Sequence, residues 1–343
     1  MIKSGNNTGR RRNFLNHIRS NVNAYIFFIA FIVLIARIPF CAAENSVNIG
    51  EIADVFPFSA YHLSTAPTTA RIADQGNFRL SQQLLISNSY TNETPSYLVD
   101  IEQYSLVSAI RYGYSENLEV GAKFNIDWQG GGFLDHSVNQ WHDFFGLPQG
   151  GRENIEDNQN TVSFQNKNDE ISNIDAHGYS FGKLSLEAKY LLSDLRTKNT
   201  KTTIHSILLL PVASDYYQQD SFDIALGPVF EYQASNFTIT SGLYYTYIND
   251  TFEDGIKFNQ HQVSSFVNFD IPLYENLSLT TSLWSASSNV QNVPKLPDYQ
   301  TYLDIALSFP ISTTNFVVGF RENPIPDDGT TDITFFLQMA ENL

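Results

Sequence analysis

The chain has 343 residues, of which 14% are aromatic and only 16% charged; with a mean hydropathy of −0.21, its apolar residues must be interleaved with uncharged polar ones. Twenty Lys and Arg stand against 36 Asp and Glu, a formal charge of −16. That sign is wrong for gripping a phosphate backbone, so nucleic acid is excluded as a partner. The single cysteine, Cys41, sits near the N-terminus, so the chain beyond it has no disulfide, thiol catalysis or thiolate metal site.

The first 43 residues carry six basic residues and no acid, leaving 14 basic against 36 acidic residues beyond them. A basic stretch to Arg19, an apolar run from Ala24 to Ala36 and the small residues at Cys41-Ala42-Ala43 predict a cleaved signal peptide over 1–43. The run is shorter than the roughly 20 residues a spanning helix needs. An uncleaved anchor is the rival reading. Residues 44–77 include Pro57 and Pro67 and show no sustained alternation, which leaves a periplasmic arm and an inserted plug as alternatives.

Beyond residue 77 the dominant pattern has a period of two. From Leu118 the even positions read Leu, Val, Ala, Phe, Ile, Trp, while the odd positions from Glu119 to Asp127 read Glu, Gly, Lys, Asn, Asp. Such alternation is a strand with one apolar face and one polar face. The pattern predicts twelve strands: 78–91, 98–114, 117–128, 181–192, 201–211, 222–233, 236–248, 259–271, 276–288, 299–309, 314–322 and 331–339. Charges obey the same parity. Arg111, Glu119, Lys123, Asp127, Lys183, Glu187, Lys189, Asp223, Glu231, Asp270, Asp304 and Arg321 all lie on the polar phase, whereas His261 and Glu322 do not. A lipid-facing charge costs about 2–4 kcal/mol at mid-membrane, so the sorting predicts an all-β, closed antiparallel transmembrane β-barrel of about 12 strands. Asp100 and Glu102 break the parity, and a bulge in the second strand is the expected cause.

Connections alternate in length, as in barrels with short periplasmic turns and long outer loops. The four short ones, 115–117, 234–236, 274–276 and 312–315, end in Asn117, Asn236, Asn276 and Asn315. Asn tolerates the left-handed backbone of tight hairpins. Aromatic residues such as Tyr112, Tyr114, Tyr190, Phe230, Tyr232, Phe269 and Tyr274 gather near these turns, where an interfacial girdle belongs. The chain ends in Leu343 after a well-alternating final strand.

The long outer connection at 129–180 is expected to be partly helical. Leu134, Val138, Trp141 and Phe145 share one helical face, with Asp135, Asn139 and His142 on another. After Arg152 the composition turns to Asn, Asp, Glu, Gln and Ser, and less order is expected. Asp135, His136, His142 and Asp143 are residue types that can ligate a metal, but no His-x-x-x-His or matching third ligand accompanies them, and a polar helix face packed on the wall or in the lumen is the simpler reading. No cofactor is expected. The one tempting hydrolytic pair, His205 and Ser206, is sent to opposite faces of its strand by adjacency.

Gly131-Gly132-Phe133-Leu134-Asp135, then Trp141-His142-Asp143-Phe144-Phe145-Gly146-Leu147-Pro148 and Gly150-Gly151-Arg152-Glu153, resemble the signature of a family of Gram-negative outer-membrane proteins known only as a domain of unknown function. Gly319-Phe320-Arg321-Glu322-Asn323 and Thr331-Asp332-Ile333-Thr334-Phe335 resemble that family's final hairpin. The resemblance implies an exported barrel in the cell outer membrane, touching lipid and lipopolysaccharide and inserted by the barrel-assembly machinery. It implies no catalytic residue.

From parity, Arg79, Arg111, Lys123, Asp127, Lys183, Glu187, Asp223, Glu231 and Arg321 are expected to line the lumen. They suit a narrow channel for an unidentified small solute, or a structural network that ties the walls together. A closed barrel that binds at its surface, or less simply a lipid-modifying enzyme, are the alternatives. Asp135, His136, Trp141, His142, Asp143 and Arg152 mark the outer-loop motif, which narrows the channel if the helix folds inward.

Overall fold

The computed structural model describes residues 51–146, 151–152, 155–165, 171–214, 220–249, 252–253, 255–274, 276–324 and 329–343. The signal-peptide expectation for 1–43, and motif residues 147–150 and Glu153, lie outside them, as does the Phe145 side chain.

Twelve strands close into an antiparallel ring: β1 (Phe78–Glu93), β2 (Tyr97–Ser115), β3 (Leu118–Gly130), then β6 (Gly178–Leu191), β7 (Thr200–Leu210), β8 (Asp223–Gln233), β9 (Thr238–Ile248), β12 (His261–Tyr274), β13 (Leu277–Ser287), β14 (Tyr299–Ile311), β15 (Thr314–Glu322) and β16 (Ile333–Asn342). Closure is made by β1, which pairs with β2 on one side and β16 on the other; Leu84 stands opposite both Leu106 and Leu337. A closed ring leaves no strand edge unpaired. All twelve predicted strands are present, with ends shifted by a few residues.

The period-two pattern becomes two surfaces. Along β8 and β12 buried and exposed positions alternate strictly over most of their length. Most exposed positions are apolar: Leu226 and Phe230 on β8, Leu243 and Tyr245 on β9, Val263, Val267, Phe269 and Ile271 on β12, Leu283 on β13. A soluble protein rarely exposes so large a contiguous apolar area. Tyr114, Tyr190, Tyr232 and Tyr274 are exposed at the short-turn end. His261 is also exposed, at the long-loop end of β12, where its Nδ1 lies 2.7 Å from the Tyr245 hydroxyl.

Three local expectations are corrected. The β1–β2 register runs unbroken through Asp100 and Glu102, and β2 shifts register only against β3, between Gly113 and Ser115. Among the described residues of the short turns the positive φ falls on Ser312 (φ 59°), not on an asparagine. Beyond Arg152 the described residues include β4 (Thr161–Gln165) and β5 (Ile171–Ile174), an antiparallel pair that continues the sheet where β4 pairs with Tyr97–Asp100 of β2. A second small pair, β10 (Phe252–Glu253) with β11 (Ile256–Lys257), stands in the β9–β12 connection.

The helix α1 (Asp135–Phe145) lies on the outside of the wall, not in the lumen. Leu134 and Val138 pack on Ile333, and Trp141 meets Phe320 and Phe335 edge-on at 5.4 and 6.3 Å. This packing accounts for Asp100 and Glu102: both point outward, and the returning loop covers them. Glu102 accepts hydrogen bonds from the Leu134 N–H and, at 2.7 Å, the Tyr104 hydroxyl. Gly132 (φ 60°) lies so close to the Glu102 carboxylate that any Cβ would collide with it, which explains the glycine run of the motif.

Candidate functional site

Twelve strands enclose more space than inward-facing side chains alone can fill, so the interior must hold either water or polypeptide. It holds residues 51–77. This segment rises from the short-turn end beside Arg111, reverses at residues 57–61 near the outer mouth and descends to enter β1 at Phe78.

Asp54 shapes the reversal. Its carboxylate accepts from the Phe56 N–H at 3.0 Å and from the Ser59 hydroxyl, while its own N–H donates to Ser64 Oγ at 3.1 Å and so ties the two legs together. From β14 the Tyr302 hydroxyl donates to the same carboxylate at 2.7 Å. At the tip Phe56, Phe58 and Tyr61 sit in an apolar cluster with Tyr97, Phe164, Ile174, Ile248, Ile256, Phe258, Val290 and Val293. Phe58 meets Tyr97 and Phe164 edge-on, each at 5.8 Å. The two outer strand pairs thus form a small apolar core over the mouth.

The nine residues expected in the lumen all lie on the inward face, and five of them bond directly to this segment. Arg321 donates to the Ile52 and Ala53 carbonyls, both at 3.0 Å, and pairs with Asp304 at 2.6 and 3.0 Å. Arg111 bridges Glu51 and, at 3.0 Å, Glu187. Asp223 accepts from the Leu63 N–H at 2.9 Å and lies 3.1 Å from His62 Nδ1. Lys183 donates to the His62 carbonyl, and Glu231 pairs with Arg71 at 2.8 Å. Among the other four, Lys123 pairs with Glu187 at 3.4 Å, and Arg79 approaches Glu119 at 3.7 Å, the acid that also accepts from the Ala73 N–H. Asp127 is held by Asn125 and Gln103 at 2.5 and 3.5 Å. Lys189, also on the polar phase, donates to Thr68 Oγ1 and the Thr69 carbonyl at 2.7 and 3.2 Å.

A cavity of about 80 Å³ persists between the legs and the β1–β3, β6 and β7 wall, lined by Asp54, Gln83, Gln103, Lys123 and Lys183 among others. That is room for a few waters. A larger one of about 210 Å³ lies at the short-turn rim among Ala70, Ala73, Asp74, Glu116, Arg196 and Lys201.

The motif residues form a separate cluster on the outer wall. Asp135 accepts from Asn88 Nδ2 at 2.9 Å, from Arg152 at 3.0 Å and from the Asn158 N–H at 2.5 Å. Arg152 also reaches Asp332 and lies 4.7 Å over the Tyr90 ring. Burial pushes the Asp332 carboxyl up to about 6, although Arg152 pulls the other way. Asp135 and His142 are buried; His136 and Asp143 are exposed, His136 beside Gln140 at 3.0 Å. The four candidate ligands therefore do not converge, and among the described residues no His, Cys, Asp and Glu grouping suited to a metal is present. His205 faces inward with its Nδ1 2.7 Å from the Tyr244 hydroxyl, while Ser206 bonds the Ala188 carbonyl on the other face. Glu51, Asp54, His62 and Arg71 were not singled out by the sequence, which marked their stretch only by Pro57, Pro67 and the lack of alternation.

The fold is similar to that of the NanC porin, at 6% identity and a TM-score of 0.46 over 78% of this chain and all of that one. The translocator domain of autotransporter NalP from Neisseria meningitidis gives 9% and 0.40 over 78% and 89% of the two chains, and the CymD monoaromatic hydrocarbon channel 12% and 0.36 over 78% and 88%. No curated relative matches the sequence. The model of a family described as "Protein of unknown function (DUF3187)" matches residues 26–342, nearly the whole length, and the chain therefore belongs to that family.

Proposed function

We propose that this protein spans the outer membrane of a Gram-negative bacterium as a transporter for small solutes, closed at rest by its own residues 51–77. Lipid and lipopolysaccharide contact its apolar outer face, and the barrel-assembly machinery inserts it. The observation that carries the reading is the bonding of this segment: its hydrogen bonds and ion pairs are distributed over β2, β6, β8, β14 and β15, beside apolar contacts of Ile52 and Leu63 with the wall. Polar contacts can be exchanged for water one at a time, whereas an interior meant to stay shut is more simply filled with apolar side chains. Both ends of the segment also lie at the short-turn end, so it can withdraw on that side once Phe56, Phe58 and Tyr61 leave the apolar core at the tip.

A closed barrel that works through its outer surface is the second reading, favoured by the apolar core over the mouth. Planar-bilayer recording separates the two. Full-length protein should show rare, brief openings, and deletion of residues 51–72 should give a steady conductance in a barrel that still migrates as folded on unheated gels. A folded deletion variant that carries no current would favour the closed barrel and overturn transport.

A further inference from the structure

The inner wall is not uniform. On β14–β16, β1–β3 and β6, inward charges are matched, as in Arg321 with Asp304 and Arg111 with Glu51 and Glu187. The inward face of β9, β12 and β13 instead carries Thr240, Thr246, Gln262, Ser264, Asn268, Thr280, Ser282 and the rings of Tyr244, Phe266 and Trp284, with Asp270 its only ionisable carboxylate. Gly242 leaves the space in which the Phe266 ring lies across β9, since a Cβ there would collide with it.

Polar groups on this face are buried without partners in the protein. Both amide atoms of Asn268, Ser282 Oγ, Trp284 Nε1, Gln262 Oε1 and Thr246 Oγ1 are unbonded, six atoms on three adjacent strands. Among the described residues the inward face of the seven matched strands shows two, Ser180 Oγ and Gln300 Oε1, and that of β7 and β8 three, Thr203 Oγ1, His205 Nε2 and Glu231 Oε2. Register places Asn268 beside both Ser282 and Thr240, and Gln262 beside Thr246. An unsatisfied buried polar atom costs about 1–3 kcal/mol, so this face is suited to something the barrel itself does not supply. The segment opposite cannot supply it: residues 66–70 read Ala-Pro-Thr-Thr-Ala, Ala70 packs on the aromatic rings, and Thr68 is engaged by Glu51 and Lys189. Across β8 and β7 the same row reaches Glu231 and Lys201, and Lys201 lines the 210 Å³ rim cavity that Ala70 also lines.

We infer that the solute track runs between residues 66–72 and the inward face of β9, β12 and β13, and that it takes small uncharged polyhydroxylated solutes. This deepens the transport reading and rests on it. Amide and hydroxyl groups match solute hydroxyls as donors and acceptors, and the ring faces accept their C–H surfaces; Arg71, Glu231, Lys201 and Asp270 gather at the rim end, and above the row of Asn268 this face carries no charge to compensate an ion for its lost hydration.

The test is swelling of proteoliposomes carrying the full-length chain, in iso-osmotic ribose, in sodium gluconate and in Tris chloride. Ribose should enter at least tenfold faster than either salt. Asn268→Leu with Ser282→Val should cut ribose entry at least tenfold, while Gln83→Leu with Gln338→Leu, a buried hydrogen-bonded pair on β1 and β16, should change it less than twofold. Unchanged entry in the first double variant, or equal entry of the salts, overturns the track. If full-length protein admits no ribose but the chain lacking residues 51–72 does, transport stands and the track falls. If neither admits it, the transport reading falls with it.

Discussion

The inner wall and the outer wall both bury charge, but they do so for different reasons. Inside, Arg321, Arg111 and Asp223 are matched by a segment of the same chain lying against them, with donors and acceptors paired nearly one to one. Outside, Asp100 and Glu102 occupy a strand face that should hold only apolar side chains, and are admitted because the loop carrying α1 lies over them: the Leu134 N–H bonds Glu102, and Asp135 of that loop is held in turn by the Asn158 N–H and Arg152. Polarity on a barrel strand therefore reports what lies against it, lipid, solvent or polypeptide, and not simply which way it points. Within the lumen the same principle separates the matched strands from β9, β12 and β13, where the polar groups outnumber the partners provided.

That contrast can be broken with two substitutions. Arg321→Met removes the guanidinium that serves Asp304 and two segment carbonyls, leaving a buried carboxylate unpaired, and should cost about 3–5 kcal/mol in urea unfolding from lipid vesicles. On the unmatched face Asn268→Leu removes two atoms that have no partner and should be neutral or stabilising by about 1 kcal/mol in the same assay. Equal losses at the two positions would mean that the wall is uniform after all.

Most of the ring was legible in the sequence because lipid on one side and a polar interior on the other impose a period of two, and every charge from Arg111 to Arg321 that obeyed it faces inward. What the sequence concealed depended on contacts between distant residues. Asp100 and Glu102 looked like a bulge because nothing local shows that Gly131–Leu134 returns over them. The β4–β5 pair was hidden by a polar composition that pairing with Tyr97–Asp100 overrides. Residues 51–77 lack periodicity because they form neither strand nor helix, and their partners lie as far away as Gln300 and Arg321; Asp54 reaches Tyr302 across 248 positions.

The most direct test of the account is to fix the segment in place. Thr65 Oγ1 and Ser264 Oγ are in contact across the lumen, so Thr65→Cys with Ser264→Cys, in a Cys41→Ser background, should form a disulfide on mild oxidation of the folded barrel. The account predicts that this cross-link abolishes the rare openings of the full-length protein and that a reductant restores them. Failure of the two cysteines to join, or a conductance indifferent to the bond between them, would contradict it.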